Sequence, residues 1–236
     1  MNELGTILGV WAHPDDETYL SAGIMAAAAD TGSRVVCVTA TRGEGGSMDE
    51  ERWPPDTMAE VREGELERGL AHLGVTEHHW LDLPDIDMDT PLPDVGSLRV
   101  VELMREVRPD TVLTFGPDGM TGHEAHKSVC RWATEAFADA APSGASLHYA
   151  TMTPAYVAEF REIFEPLNIF RPGTPPVTPP SELSIDMALD DEALARKWKA
   201  ISEHESQIGY IIDALGEDVF RRQMANEWFR LGAVRE

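Results

Sequence analysis

Residues 6–17 read Thr6-Ile7-Leu8-Gly9-Val10-Trp11-Ala12-His13-Pro14-Asp15-Asp16-Glu17, and this stretch decides how the chain is read. Thr6 to Trp11 is an apolar run of the length of a buried β-strand. Tyr19 to Ala29, rich in Ala, reads as a helix. An imidazole and two carboxylates therefore stand where a strand hands over to a helix. In an open α/β sheet, ligands bind outside the carboxyl ends of the strands. His13 and Asp16 are three apart and project from the same side of a first helical turn. Asp15 points elsewhere and is left for a second task. The arrangement suits a metal held by His13 and Asp16, with Asp15 working beside it. A purely structural reading competes, because Asp caps helix N-termini and Pro opens helices. A second half-site downstream has to decide between them.

Working outward, strand patterns recur at Thr6 to Ala12, Arg34 to Ala40, His78 to Leu81, Thr111 to Phe115 and Leu147 to Met152. Helical patterns lie between them, at Glu17 to Asp30, Met58 to Leu73, Val95 to Val107 and Glu124 to Ala140. This alternation predicts an α/β, Rossmann-like fold: a mainly parallel sheet with helices on both faces and a smaller C-terminal extension. Residues 1–152 form the catalytic core in this reading. Residues 153–236 add a Pro-rich crossover and a helical part of the same domain. Pro154 to Pro180 reads as an irregular crossover or flap, Ser184 to Ala188 as a short strand. Asp190 to Ile212 reads as one long helix capped by Asp190 or Asp191, with Trp198, Ile201, Ile208 and Ile211 on its apolar face. Trp228 and Phe229 are expected to pack the C-terminus onto the body. Two long loops, Thr41 to Thr57 and Asp82 to Asp94, follow strands and share the rim of the first motif. The Gly-rich one lacks the Lys-Ser/Thr ending of a phosphate loop.

The chain carries 42 acids against 19 bases, a formal charge of −23. That argues against nucleic acid and anionic membrane surfaces as partners. The two cysteines, Cys37 and Cys130, fall in apolar patterns and read as buried reduced thiols. No run approaches a membrane span and no basic leader precedes the first strand, so a soluble cytoplasmic protein acting on a small molecule is expected. A homo-oligomer is compatible with the pattern.

The second half-site is Gly116-Pro117-Asp118-Gly119-Met120-Thr121-Gly122-His123-Glu124-Ala125-His126, which follows the strand ending at Phe115. It repeats the sequence of strand, turn and helix, and His123 and His126 repeat the three-residue spacing. A catalytic zinc takes three ligands from His, Asp or Glu and keeps a position for water. His13, Asp16 and His126 supply that set, and other divalent metals suit it too. The ion acidifies its water, and Asp15 is placed to take the proton as general base. His123, if protonated, stabilises an oxyanion or protonates a leaving group. This is equipment for hydrolysing a carbonyl compound.

These residues resemble the LmbE-like, N-acetylglucosaminyl-phosphatidylinositol de-N-acetylase superfamily. The resemblance rests on Ala12-His13-Pro14-Asp15-Asp16-Glu17 and on Gly119-Met120-Thr121-Gly122-His123-x-x-His126. Weaker matches are Thr41-Arg42-Gly43-Glu44, Arg62-Glu63-Gly64-Glu65-Leu66, Leu83-Pro84-Asp85 and His204-Glu205-Ser206-Gln207. It implies a zinc-dependent N-deacetylase of Rossmann-like fold acting on glucosamine-containing or related amides. It also implies His13, Asp16 and His126 as ligands, Asp15 as base, His123 at the tetrahedral intermediate, and Arg62 and Asp85 touching substrate. Structurally, Arg62 reads equally as a helix-surface partner of nearby acids and Asp85 as a loop residue. One departure stands out. The second motif of that family usually reads Gly-His-Pro-Asp-His, and here Glu124 and Ala125 replace Pro-Asp, removing a carboxylate that supports the neighbouring imidazole. Thr121 has no phenol, so tyrosine help for an oxyanion has to come from Tyr156 or Tyr210.

Three rivals remain at this stage. One is hydrolysis of another bond, such as an ester, urea or cyclic amide. A second is an inactive scaffold that keeps its metal. A third is a nucleotide-binding regulatory domain, which the missing Gly-x-Gly-x-x-Gly turn disfavours.

Overall fold

Burial on both faces sets the centre of the molecule. The strand β1 (Ile7–Trp11) has no exposed residue, as a continuous apolar run in a parallel sheet requires. It pairs in parallel with β2 (Val35–Thr41) on one side and β4 (Thr111–Phe115) on the other. Beyond β2 lies β3 (Glu77–Leu83), and beyond β4 lies β5 (Ser146–Ala150), both again parallel. The crossovers are α1 (Asp16–Asp30), α2 (Met58–Leu73), α3 (Val95–Val107) and α4 (Glu124–Ala140). Helices α1 and α2 pack together on one face, and α3 packs on α4. This is the α/β, Rossmann-like arrangement expected from the alternation. The computed structural model describes residues 4–167, 169–171 and 175–236.

Strand order reverses at β1, whose neighbours are β2 and β4. Such a reversal opens a crevice above the carboxyl ends of the two central strands. The turns leaving β1 and β4 carry the two histidine motifs, so the fold itself brings them to one place.

Past residue 152 the structure departs from the sequence reading in three ways. First, Pro154–Leu167 is a helix, α5, not an irregular flap. Pro154 takes the first helical position, where no N–H is needed, and the Thr153 hydroxyl accepts from the Tyr156 N–H at 3.2 Å. Tyr156, Val157 and Phe160 form a buried stripe of helical spacing. Of the rest of the Pro-rich run, residues 168 and 172–174 lie outside the described residues. Val177 bridges to Met152, and Pro180–Glu182 makes a 3₁₀ turn.

Second, the long helix is two, α6 (Asp191–Ser202) and α7 (Glu205–Leu215). The break falls at His204, which is fully buried and turned toward Glu17, 3.5 Å away, and the Thr18 hydroxyl, 3.3 Å away. The expected cap does form: the Asp190 side chain accepts from the Ala193 N–H at 2.9 Å. The apolar face also holds, since Ile201, Ile208 and Ile211 cluster together with Trp198 against them.

Third, the C-terminus is a strand. After α8 (Glu217–Gln223), β7 (Asn226–Val234) runs antiparallel between β5 and β6 (Leu183–Ala188). Phe229 is buried as expected, but by sheet pairing. The tail is fastened to α6 by a buried ion pair: Lys197 Nζ lies 2.8 Å from Glu227. Glu227 also accepts from the Gly23 and Ile24 N–H groups at 2.8 and 2.9 Å, and Lys197 donates to the Tyr19 carbonyl at 2.8 Å.

Candidate metal centre

Two imidazoles and a carboxylate converge above β1 and β4. His13 Nδ1 lies 3.2 Å from His126 Nε2. Asp16 faces both, its oxygens 3.6 Å from His13 Nδ1 and 3.4 Å from His126 Nε2. Ligands about 2.0–2.1 Å from one tetrahedral ion stand roughly 3.4 Å apart, close to the spacing of the two ring nitrogens and of each ring from one of the two Asp16 oxygens. The outer nitrogen of His126 has an acceptor, and that of His13 faces a carboxylate without a hydrogen bond among the described residues. His126 Nδ1 is 3.0 Å from the Gly119 carbonyl, and His13 Nε2 is 3.5 Å from the Asp85 carboxylate. Such partners fix the tautomer and aim the remaining lone pair inward. Phe115 stacks on His126 with ring centroids 4.0 Å apart, and Trp11 meets Phe115 edge-on at 5.3 Å, so the ring is braced from the sheet. The donor set therefore fits a divalent cation. The ring nitrogens of His13, His123 and His126 also lie within 4.8 Å of one another.

The electrostatics of the cluster call for one positive charge. Burial pulls the His13 imidazole down, but Asp16 and Asp85 outweigh it and raise its pKa to about 9. Burial pushes the Asp16 carboxyl up, but His126 and His13 hold it well below the usual range. His126 is lowered to about 4, by burial first and against the pull of Asp16. A proton on His13 thus sits where a cation would.

Asp15 is held in strain beside this cluster. Its φ is +123°, a region that a non-glycine residue enters only when its surroundings force it. The forcing groups are visible. Glu17, fully buried, accepts from the Asp15 N–H at 3.1 Å. Arg62 lies 3.3 Å from the Asp15 carboxylate and donates to the Pro14 carbonyl at 2.6 Å. The Asp15 side chain makes no capping bond to α1, so the helix-cap explanation of this residue fails. Burial pushes its carboxyl up to about 7, although Arg62 pulls it down.

Arg62 is buried, not a surface partner of nearby acids. It also donates to the Gly43 carbonyl at 3.1 Å, and Gly43 has a φ of +67° where a Cβ would stand 2.2 Å from the guanidinium. The two long loops meet over the site, since Glu44 accepts from the Asp85 N–H at 3.0 Å. Arg62, Asp85, Asp15 and all three histidines line one cavity of about 640 Å³. Tyr156 and Tyr210 line it too.

The sequence pattern of the family described as PIG-L, GlcNAc-PI de-N-acetylase, matches residues 8–137. The chain belongs to this PIG-L family. A relative from Kineococcus radiotolerans, named 1D-myo-inositol 2-acetamido-2-deoxy-alpha-D-glucopyranoside deacetylase, is 35% identical over 188 residues, 68% of this chain. The match spans about half of that relative, 52% of its length. Among solved structures, N,N'-diacetylchitobiose deacetylase from Pyrococcus horikoshii aligns with a TM-score of 0.64 at 20% identity, covering 96% of this chain and 83% of that one. A 4-carboxy-2-hydroxymuconate hydratase from Pseudomonas putida aligns with a TM-score of 0.63 at 17% identity, covering 98% of each chain. At these identities the structures share the fold alone, and the fold carries more than one reaction.

Ala125 is buried, and His123 Nδ1 is buried with no hydrogen-bond partner among the described residues. Burial, then the facing His13 and His126, lowers His123 to about 3, so its ring is neutral near pH 7. Several supporting residues went unassigned from sequence. Glu17 stood inside the first motif without a role. His204 and Gln207 stood inside a weak match, and Gln207 donates to the Gly46 carbonyl at 3.0 Å, tying α7 to the Gly-rich loop. Glu65 accepts from the Ser206 N–H and hydroxyl at 2.8 and 2.7 Å, a link that no local pattern announced.

Proposed function

We propose that the chain is a metal-dependent amide hydrolase that removes the acetyl group from a small N-acetylated amine, such as an N-acetylglucosamine compound. The observation that carries this reading is the convergence of His13 Nδ1, His126 Nε2 and the Asp16 carboxylate, with the two ring nitrogens 3.2 Å apart, Asp16 Oδ1 3.4 Å from His126 and Asp16 Oδ2 3.6 Å from His13. Membership of the PIG-L family and the name of the Kineococcus relative support the acetylated amino sugar. His13, Asp16 and His126 would hold the ion, zinc by the chemistry of the donors. When bound, the ion supplies Lewis acidity, polarising the amide carbonyl and acidifying a water molecule.

The chain's own groups do the rest. Asp15 takes the proton from the attacking water and passes it to the departing amine. Glu17 and Arg62 fix Asp15 for that task by holding its backbone and its carboxylate. His123 faces the same space from the other motif and offers a ring N–H to the developing oxyanion. Asp85 and Arg62 line the cavity beside the donors, where they contact the substrate or aim the groups that do.

Two measurements test this. Metal content by plasma mass spectrometry is expected to show one zinc per chain, and His126→Ala is expected to lose it. Amine release from N-acetylglucosamine derivatives, followed with fluorescamine, is expected to vanish on chelation and return with zinc. A zinc-loaded protein that releases no amine from a broad panel of acetylated amines would leave the metal site standing and remove the activity.

A further inference from the structure

His204 stands at the break between α6 and α7, fully buried, and is not among the described residues that line the cavity. As filling for the core, its ring is a poor choice. Nδ1 is buried with no partner among the described residues, and a buried polar atom left unpaired costs free energy. An apolar side chain of that size would fill the place without the cost. What the imidazole adds lies at its other nitrogen.

His204 Nε2 is 3.3 Å from the Thr18 hydroxyl and 3.5 Å from Glu17 Oε1. The Thr18 hydroxyl has a single hydrogen, which it donates to Glu17 Oε1 at 2.6 Å. Toward the ring its oxygen can only accept, so the ring carries a hydrogen on Nε2. The other Glu17 oxygen, Oε2, accepts from the Asp15 N–H at 3.1 Å. One buried carboxylate is thus held at both ends, by Thr18 and His204 at one oxygen and by the Asp15 backbone at the other. A carboxylate held at one oxygen alone turns about its last bond, which is a soft torsion. The anchor at Oε1 therefore decides where Oε2 stands. That contact helps keep Asp15 at its φ of +123°, a conformation that lasts only where the surroundings over-determine it.

Helix α2 makes room for the ring. Gly69 lies in its interior, where glycine is unfavourable. A Cβ there would stand 3.1 Å from His204 Nε2 and 3.3 Å from the Ala200 carbonyl. The glycine lets the imidazole lie against α2 and still reach α1.

We propose that His204 is a positioning residue for Asp15. Through Nε2 it fixes the Thr18 hydroxyl and the Glu17 carboxylate, and Glu17 holds the Asp15 backbone so that the Asp15 side chain stays in the cavity beside Arg62. This rests on the reading of Asp15 as the general base of an amide hydrolase.

The test compares His204→Leu, His204→Gln and Thr18→Val in the full-length, zinc-loaded protein, with N-acetylglucosamine as probe and fluorescamine detecting the released amine. Leu removes the donor, Gln returns an N–H near the place of Nε2, and Val removes the hydroxyl but keeps its shape. His204→Leu and Thr18→Val are expected to lower kcat and kcat/KM together by roughly tenfold or more, within the share of a general base. KM and zinc content are expected to match the parent protein, and His204→Gln to recover most of kcat. Crystal structures of the variants give a readout apart from turnover. In His204→Leu, or in Thr18→Val where the Leu variant does not fold, Asp15 is expected to leave positive φ and lose its bond to Glu17. His204→Gln is expected to keep both. A folded variant without the donor or the hydroxyl that holds Asp15 near +123° with that bond intact overturns the proposal. So does a Gln variant as slow as the Leu variant, or a rise in KM alone. Parent protein that releases no amine counts against the hydrolase, and the Asp15 geometry then decides the role of His204 by itself.

Discussion

His13 Nδ1 and His126 Nε2 face each other at 3.2 Å across the crevice between β1 and β4, although 113 residues separate them in sequence. Two ring nitrogens at that distance cannot both present lone pairs or both present hydrogens. One positive particle between them resolves the contact, either a shared proton or a metal ion. With Asp16 completing the set, the ion has three ligands and room for a water.

Asp15 is the group whose loss should separate chemistry from metal binding. Asp15→Asn keeps the size of the side chain but removes its capacity to take a proton. Turnover is expected to fall roughly 10²–10⁴-fold, the usual share of a general base, with zinc content unchanged. Steady-state amine release paired with metal analysis checks this, and retained turnover would remove Asp15 from that role.

Asp85 has two conceivable tasks, and its geometry favours one. Its carboxylate lies 3.5 Å from His13 Nε2, the position of a partner that orients a ligand. Asp85→Asn is therefore expected to weaken zinc affinity about 10–100-fold. Competition with a chelator of known affinity measures it. Unchanged affinity with a raised KM would assign Asp85 to substrate alone.

The Lys197–Glu227 pair is fully buried, and removing one partner leaves an uncompensated charge. Lys197→Met is expected to cost about 3–5 kcal/mol, which lowers the melting midpoint by roughly 6–20 °C. Replacing both partners with apolar residues should recover part of that loss. Calorimetric or fluorescence melting of the single and double variants checks it.

His148 supplies a pH dependence away from the metal centre. It sits between the Ser184 and Ser146 hydroxyls, each 2.8 Å away, and burial lowers its pKa to about 4. The unfolded chain, with an ordinary histidine near 6.5, binds the proton first, so stability rises with pH across this window. The contribution is whole above about pH 6.5 and is lost as pH falls toward 4. His148→Gln is expected to flatten that part of the curve of melting midpoint against pH.

What the sequence made legible follows from locality. The apolar runs of β1 and β4 and the turns after them were readable because each half-site is a short, continuous stretch. The helices α2 and α3 were readable because Gly74 ends α2 and Pro109 follows α3 by two residues. The break at His204 was not readable, because the groups this ring packs against, Glu17 and Thr18, lie on a different helix. The strand β7 was missed because its pairing partners, β5 and β6, are far from it in sequence, and its burial depends on them.

The most direct measurement is anomalous X-ray diffraction at the zinc edge from crystals of the zinc-loaded protein. One ion is predicted within about 2.0–2.2 Å of His13 Nδ1, an Asp16 carboxylate oxygen and His126 Nε2. An ion held by His123 in place of Asp16, or no ion between β1 and β4, would contradict the shared coordination on which the proposed chemistry depends.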